Sequence, residues 1–383
     1  MRINSKSILA GMALGALLLT GCNDAEYDTL SNQAYILQTN TNANSSLKLT
    51  VGAEVATTTL NVRLSDVANV ESRYRLVYDT AVVNEYNRLN ETPYVSLPQE
   101  SFSLSSEETT IEAGTSVSTP ITLTVPPYSE ALKASGKKYA IGFRLENTSG
   151  NASVLPSGSK IVYILDQVVI QPVVVLDQSH YVSQNLVKNY PLTEWTVEMN
   201  INKHVLYTEV GRGNNQAIFG AGPDEIYIRF GDAPIEGNRL QIKTQGTQMN
   251  SLALFNEHTW YHLAFVCTGT KLYLYVNGQL DNSMDLPGKT TNVNSINICS
   301  PSTYWLGNAM YSEVRFWQRA RSQAEIANNM YACDPTTPGL ITYYKMNEGE
   351  GYSFRDASGN GNNAETNGQA VPEWIQDVRI DGK

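Results

Sequence analysis

Acidic residues and histidines are the side chains with which this sequence of 383 residues could carry out catalysis. A glycosidase needs two carboxylates facing one sugar bond, and on a strand they would stand two or four residues apart. Glu313 stands alone on its predicted strand, and Glu348 and Glu350 lie in a glycine-containing loop. The four histidines lack the H-E-x-x-H zinc spacing, and the G-x-S-x-G nucleophile motif is missing. The residues therefore favour a non-enzymatic protein.

Cys22 is the residue with the clearest predicted chemistry. Arg2 and Lys6 precede the short apolar stretch Ser7 to Thr20, and Leu19-Thr20-Gly21-Cys22 follows. A basic start, a short apolar run and small residues before a cleavage position are typical of a signal peptide. The ending resembles the lipobox of bacterial lipoproteins, which implies cleavage before Cys22 and a lipid anchor on it. Residues 1–21 are thus predicted to be removed, and residues 22–33 to form a tether.

The composition of the chain excludes some classes of binding partner and indicates the state of its cysteines. The formal net charge is −10 and the sequence has no basic stripe, which argues against nucleic acid as a partner. The same charge argues against anionic membrane surfaces, so the predicted membrane attachment depends on the lipid alone. Three cysteines besides Cys22 exclude a full disulfide framework and favour buried free thiols, with one bridge as the alternative.

Alternating apolar and polar residues predict an all-β chain of two β-sandwich domains. Strand patterns with turn clusters between them predict a first sandwich at residues 34–170, with short helices near Asp79 to Leu89 and Tyr128 to Ser135. Residues 171–180 are predicted as a linker, with the run Val173 to Leu176 as an alternative first strand of the second domain. The second domain spans 181–383, and Asn277-Gly278 between two alternating runs predicts a type I′ hairpin. Ser322 and Glu325 form a capping box that predicts one short helix.

The second domain resembles the concanavalin A-like, laminin-G-type jelly roll. The matching segments occur in order along about half of the chain, and they are Trp195-Thr-Val-Glu, Ile226-Tyr-Ile-Arg-Phe-Gly-Asp-Ala233, Trp260-Tyr-His-Leu-Ala, Leu274-Tyr-Val-Asn-Gly278, Glu313-Val-Arg-Phe-Trp317, Gly339-Leu-Ile-Thr-Tyr-Tyr344 and Asp356-Ala-Ser-Gly-Asn-Gly361. This resemblance implies binding of glycan or protein, or glycanase activity. The E-x-D-x-x-E spacing typical of lytic members is absent.

The first domain is similar to a domain at the start of many surface lipoproteins of glycan-foraging Gram-negative gut bacteria. The residues that carry this similarity are Glu85-Tyr86-Asn87, Tyr94-Val-Ser-Leu-Pro98, Phe102-Ser-Leu104, Thr110-Ile-Glu-Ala-Gly114 and Lys138-Tyr-Ala-Ile141. The two resemblances together imply a lipid-anchored glycan-binding protein on the outer membrane, beside a Sus-like importer. A jelly-roll endo-acting glycoside hydrolase and a structural or protein-binding lipoprotein are the alternatives.

The resemblance of the second domain also implies a calcium site, because β-sandwiches of the concanavalin A-like type often hold one calcium ion on loop oxygens. Asp356 is the first candidate ligand, and Asp224 and Asp232 are the next. The alternative for Asp356 is an Asx turn, in which the carboxylate accepts hydrogen bonds from its own loop.

Sugar binding needs exposed aromatic faces together with planar polar groups. Trp195, Trp260 and Trp317 occupy core-like strand positions, so the expected site lies in two loops. The candidate residues for glycan binding are Tyr304, Trp305, Tyr207, Arg212, Asn214 and Asn215.

Overall fold

The computed structural model of the protein describes residues 31–41, 45–90, 92–300 and 307–381. Within them the chain is built from strands with three short α-helices, and the predicted all-β class with two sandwich domains is confirmed. The helices are α1 (Thr80–Asn90), α2 (Glu130–Ala134) and α3 (Gln323–Asn328). Short 3₁₀ segments lie at Leu37–Thr41, Gln99–Ser101, Pro156–Gly158 and Asn367–Gln369. The predicted signal peptide and Cys22 lie outside the described residues.

The first domain contains twelve strands in three sheets. These are β1 (Gln33–Ile36), β2 (Ser46–Val51), β3 (Ala56–Leu60), β4 (Val62–Leu64), β5 (Ser72–Tyr78), β6 (Val95–Ser96), β7 (Ser103–Leu104), β8 (Glu108–Ile111), β9 (Ile121–Val125), β10 (Tyr139–Ser149), β11 (Ser153–Val154) and β12 (Lys160–Gln167). The largest sheet has the order β2-β12-β10-β5-β8, with β6 beside β10, and the smaller sheets are β11-β1-β4 and β3-β9-β7. In β5, Tyr74 and Leu76 enter the core while Arg73 and Arg75 face solvent, the alternation of a half-buried strand.

Helix α1 packs on the outside of the largest sheet of this domain. The Asp79 carboxylate accepts the backbone N–H of Ala81 at 2.8 Å and so satisfies a donor of the first turn. Val82 and Val83 are buried against Ala140 of β10 and Val162 of β12. The helix predicted from Asp79 to Leu89 is therefore present, with one apolar face on the sheet.

The second domain contains sixteen strands. These are β13 (Ile170–Leu176), β14 (Val182–Leu192), β15 (Trp195–Lys203), β16 (Gln216–Pro223), β17 (Ile226–Phe230), β18 (Leu240–Thr244), β19 (Thr247–Asn250), β20 (Trp260–Cys267), β21 (Lys271–Val276), β22 (Gln279–Asp285), β23 (Thr291–Ile298), β24 (Ala309–Trp317), β25 (Leu340–Tyr344), β26 (Ser353–Phe354), β27 (Ala364–Glu365) and β28 (Glu373–Arg379). An eight-stranded sheet has the order β22-β21-β20-β15-β24-β13-β28 with β25 beside β24, and a six-stranded sheet has the order β14-β23-β16-β17-β18-β19.

The apolar core of the second domain lies between these two sheets. Side chains from both sheets, such as Phe219 and Phe316, meet edge to face there at 6.1 Å between ring centroids. Asn277 and Gly278 have φ values of 49° and 75° in the β21–β22 hairpin, as the predicted type I′ turn requires. The Ser322–Glu325 capping box at the start of α3 is also present.

The two domains meet closely. Residues 171–180 were predicted as a linker, with Val173 to Leu176 as an alternative first strand. In the structure, Ile170–Leu176 form β13, which pairs with β24 and β28 inside the second domain. Gly136, at the end of α2, lies against the backbone of Cys333, and a Cβ on Gly136 would stand 2.1 Å from the Cys333 carbonyl oxygen. The domains are therefore in direct backbone contact.

Cys267, Cys299 and Cys333 are free and buried, as the odd count favours. Across the described ranges, every helix is too short or too polar to traverse a bilayer.

Candidate functional site

The outer face of the six-stranded sheet carries polar side chains. Residues directly opposite each other in an antiparallel ladder share a face, so the strand pairings define one continuous row across all six strands. This polar row consists of Ser183, Asn297, Gly220, Tyr227, Lys243 and Gln248. The alternating neighbours, such as Ile228, Ile242 and Ile298, point to the core. Hydrophobic alternation therefore places exposed and half-buried polar side chains on the outer face, around the buried Gly220.

Gly220 is the residue of the row beside its aromatic member, and it has no side chain. It pairs directly with Tyr227 on one side and with Asn297 on the other. A Cβ at Gly220 would find its nearest neighbours at 3.7 to 3.9 Å, among them the Tyr227 ring and Asn297. Gly220 is buried in the row between an aromatic residue and an asparagine, and Lys243 pairs with Tyr227 on the next strand. This combination of apolar face and hydrogen-bonding groups suits a sugar ring.

Asn215 holds Tyr227 in place. Its side-chain oxygen accepts hydrogen bonds from the Tyr227 hydroxyl at 2.7 Å and from Arg229 Nη1 at 3.0 Å. Partial burial raises the Tyr227 pKa above its usual value, so the hydroxyl stays a neutral donor. Asn215 itself has a φ of 58°, a left-handed conformation that asparagine tolerates better than most residues. The predicted loop residue thus acts as a support for an aromatic side chain on the sheet.

Arg229 is the centre of the same network. Only 7% of it is exposed, and its guanidinium donates to Gln241 Oε1 at 2.6 Å and to the Asp232 carboxylate. The guanidinium carbon also lies 5.4 Å from the centroid of the Tyr227 ring. The hydrogen bonds and the ion pair fix the side chains that border the polar row, which lowers the entropy lost on binding.

The loop that contains the other predicted residues lies at the end of this network. The Arg212 guanidinium covers the Tyr207 ring at 4.1 Å from its centroid and also pairs with Glu209 at 3.0 Å. A Cβ on Gly213 would stand 2.8 Å from the same ring. The side-chain oxygen of Asn214 is buried and has no hydrogen-bond partner in the described part of the chain. Tyr207 is therefore covered by its own loop, and Asn215 is the candidate that reaches the sheet face.

Tyr304 and Trp305, the first two aromatic candidates, lie outside the described residues. Trp195 and Trp317 are fully buried and Trp260 is half-buried, in line with their core-like positions. The sequence reasoning missed Tyr227 as a candidate. The signal was available, because Tyr227 and Arg229 alternate with the core residues of β17.

The three calcium candidates are each held by protein groups. Asp356 is buried, and its oxygens accept four hydrogen bonds, from the N–H groups of Tyr343, Ser358 and Asn362 and from the Ser358 hydroxyl, at 2.6 to 3.0 Å. Three of these bonds go to Oδ1 and one goes to Oδ2, so the carboxylate is held mainly by its own loop and the adjoining strand. The bond from Ser358 N–H, two residues on, is the Asx turn that was the alternative.

Asp224 accepts two hydrogen bonds from Asn292, and Asp232 pairs with Arg229. Within residues 31–41, 45–90, 92–300 and 307–381, no three His, Cys, Asp or Glu side chains form a cluster that could hold a metal ion. Calcium binding at these three aspartates stays a prediction, although each carboxylate bonds to protein donors in the structure.

A buried charged cluster lies on the outer face of the eight-stranded sheet, beneath α3. Glu198 pairs with Arg321 at 2.6 Å and with Arg315 at 3.4 Å, and His262 Nε2 lies 3.4 Å from the same carboxylate. Burial would raise the Glu198 pKa, but the charges of Arg321 and Arg315 and the contact with His262 hold it well below its usual range. Glu198 is thus an ionised structural carboxylate rather than a poised acid.

Comparisons with known proteins agree with this architecture. Residues 177–327 match the family model of the concanavalin A-like lectin/glucanases superfamily, of laminin G type, and residues 30–152 match a family model for an N-terminal domain. A search of curated proteins gave no match.

Among solved structures, one from Bacteroides ovatus ATCC 8483, described as a proposed carbohydrate binding protein, shares 22% identity with a TM-score of 0.62, over 91% of this chain and 99% of that one. EndoBT-3987 from Bacteroides thetaiotamicron, with a Man5GlcNAc product, shares 20% identity with a TM-score of 0.30, over 35% of this chain and 30% of that one. The first similarity shows a shared fold over both domains. The chain therefore consists of an N-terminal family domain followed by a laminin-G-type, concanavalin A-like domain.

Proposed function

We propose that this protein binds glycan without cleaving it and that the polar row on the six-stranded sheet is the binding face. The observation that carries the proposal is the position of Tyr227, a half-buried aromatic ring on the outer face of the sheet, directly beside Gly220, which has no side chain. Asn297 pairs with Gly220 and Lys243 pairs with Tyr227, so these two residues offer an amide and an ammonium group to sugar hydroxyls. The similarity in fold to a proposed carbohydrate binding protein supports the same class of ligand.

The test is a glycan array probed with residues 23–383, a soluble chain that keeps every described residue. We expect binding to at least one polysaccharide or oligosaccharide class. Chelator should leave that binding unchanged, because the Asp356 carboxylate is occupied by four donors. Binding to no glycan on the array would contradict the proposal, and release of shortened products from a bound glycan would favour the hydrolase instead.

The proposal extends to location. A lipid on Cys22 would hold the protein at the outer membrane, with the segment ahead of β1 as a tether and both domains facing the surrounding glycans beside a Sus-like importer. Replacing Cys22 with alanine should abolish incorporation of labelled fatty acid and release the protein from the membrane fraction. Membrane attachment that survives this substitution would contradict the anchor. Protection of the cell-bound protein from added protease would contradict the surface location.

A further inference from the structure

A cavity of about 500 Å³ lies between the two domains. Its volume falls within the range of about 300–1,000 Å³ that is usual for ligand pockets. We call it the interdomain cavity, and its wall includes Tyr128 and Lys133 from the first domain and Glu313, Tyr331, Tyr343 and Lys345 from the second. The cavity is separate from the polar row, because none of the residues of that row lines it.

Glu313 presents an unusual carboxylate to this cavity. Its backbone has a φ of 57°, in the left-handed region where a glutamate is strained. The cause is a bulge in β24: Glu198 pairs with Arg315 and Asn200 with Ser312, so two residues of β24 face one of β15. The bulge turns an otherwise regular strand at the cavity wall. Strained residues of this kind concentrate at ligand sites.

Only one oxygen of the Glu313 carboxylate is engaged. Oε2 accepts hydrogen bonds from Arg315 Nη2 at 2.6 Å and from the Tyr343 hydroxyl at 2.5 Å. Oε1 accepts none from the residues that the structure describes. Glu313 is only 2% exposed and lines the cavity, so a donor on a ligand or water in the cavity can bond to Oε1. Oε1 is therefore an acceptor held ready at the wall.

Two other polar side chains around the cavity make no hydrogen bond to the residues that the structure describes. The Lys345 side chain is half-buried and makes no ion pair in the described part of the chain, and its ammonium lies 5.9 Å from the Tyr343 ring centroid. The Tyr128 hydroxyl is buried and has no described hydrogen-bond partner. The wall thus combines an acceptor, a cationic donor and tyrosine rings. The Glu313 carboxylate would repel an anion, and the Lys345 ammonium would repel a cation. Neighbouring hydroxyls on a neutral ring can instead hydrogen-bond to both groups.

We propose that the interdomain cavity binds a neutral sugar of one or two rings, as a second glycan site. Glu313 Oε1 accepts a sugar hydroxyl, the Lys345 ammonium donates to another, and a tyrosine ring covers the apolar side. The site rests on the proposed function for its ligand class but uses different residues. Because both domains contribute to the wall, the bound sugar also strengthens the contact between them.

Isothermal titration calorimetry on residues 23–383 tests this proposal with defined probes. The probes are glucose, galactose, mannose, N-acetylglucosamine, maltose, lactose and diacetylchitobiose. Ala332→Trp fills the cavity, Lys345→Met removes the ammonium, and Lys289→Met is the control, since Lys289 is an exposed lysine elsewhere. We expect at least one probe to bind, Lys345→Met to weaken it about tenfold or more, and Ala332→Trp to abolish it. Equal affinity in wild type and Ala332→Trp, or a wild type that binds no probe, would overturn the proposal.

Hydrogen exchange of the wild-type protein provides a test that needs no variant. Addition of the bound probe should slow exchange in residues 167–172 and 331–347, which border the cavity. Slowed exchange confined to strands β16 to β18 would overturn the cavity assignment.

The variant Tyr227→Ala distinguishes the two sites. It should leave short-sugar affinity unchanged and reduce binding of the array glycan. If the wild-type protein binds no glycan on the array while short sugars still slow hydrogen exchange around the cavity, the proposed function fails and the second site stands.

Discussion

Gly220 and Tyr227 are direct partners in the antiparallel ladder of β16 and β17. A Cβ built on Gly220 would stand 3.9 Å from the Tyr227 ring. Tyr227, a half-buried aromatic residue on the outer face of the sheet, therefore has a neighbour without a side chain. The Asn215 side chain fixes the hydroxyl end of that ring. The missing side chain at position 220 is therefore as much a part of the proposed site as the ring at position 227.

Side-chain size at position 220 should control binding. Gly220→Ala adds a Cβ with neighbours at ordinary van der Waals distance, so we expect normal folding and little change in affinity. Gly220→Leu places a branched side chain beside the ring and should weaken glycan binding about tenfold, a loss of ~1.4 kcal/mol. Calorimetry with the array-selected glycan measures both variants. Equal affinity in the leucine variant and wild type would argue against contact between position 220 and the bound sugar.

The domain contact at Gly136 should be sensitive to one methyl group. Gly136→Ala puts a Cβ 2.1 Å from the Cys333 carbonyl oxygen, while Gly114→Ala meets nothing within 4 Å. Both glycines have positive φ, 65° and 85°, so both alanines carry a similar backbone strain of roughly 1–2 kcal/mol. Small-angle scattering should show a larger radius of gyration only for Gly136→Ala. A matching change in the Gly114→Ala control would mean that backbone strain, rather than the domain contact, is being measured.

Glu198→Gln should destabilise the second domain strongly. Removing this charge leaves Arg321 and Arg315 buried with fewer counter-charges, which costs about 3–5 kcal/mol of unfolding free energy. Glu209→Gln removes an ion pair whose two side chains are more than half exposed and should change stability by no more than about 1 kcal/mol. Urea denaturation followed by tryptophan fluorescence compares the two. A loss for Glu198→Gln as small as that for the surface control would contradict a structural role for the cluster.

His262 should make stability fall in mild acid. Burial lowers its pKa below the usual value of 6.5, despite the favourable contact with Glu198. The unfolded chain therefore binds a proton more readily than the folded chain as the pH drops below 6.5. The stability contribution is complete above this pH and is lost as the pH falls toward the lowered folded pKa, by up to about 1.4 kcal/mol per pH unit.

Replacing His262 with glutamine should flatten this part of the stability profile, measured by urea denaturation at a series of pH values. His258→Gln, at an exposed position, is the control and should keep the wild-type slope. If the slope in His262→Gln matches wild type, another group is responsible for the acid sensitivity.

Local patterns in the sequence predicted most of the fold. Alternation identified strands such as β5 and β15, the Ser322–Glu325 capping box located α3, and Asn277-Gly278 located the β21–β22 hairpin. These features depend on neighbouring residues and on backbone conformation, so a single sequence carries them. Strand order in the sheets depends on contacts distant in the sequence and could not be predicted in the same way.

The candidate site shows the same limit. Asn215 was predicted as a loop residue, but its role follows from contacts with Tyr227 and Arg229, twelve and fourteen residues away on another strand. Arg212 and Tyr207 were also predicted, and their mutual stacking could not be foreseen from their spacing. For Asp356 the two predicted outcomes differ only in where neighbouring donors point, and the structure resolves this as an Asx turn.

The most direct measurement compares the affinity of Tyr227→Ala with that of Tyr273→Ala for the glycan selected on the array. Tyr273 is also a half-buried strand tyrosine, but it lies on the eight-stranded sheet. Loss of the Tyr227 ring should weaken binding at least about tenfold, because burying one aromatic side chain contributes roughly 1.5–3 kcal/mol. Tyr273→Ala should bind as wild type does. Unchanged affinity in Tyr227→Ala, with both variants folded, would contradict the assignment of the polar row as the glycan-binding face.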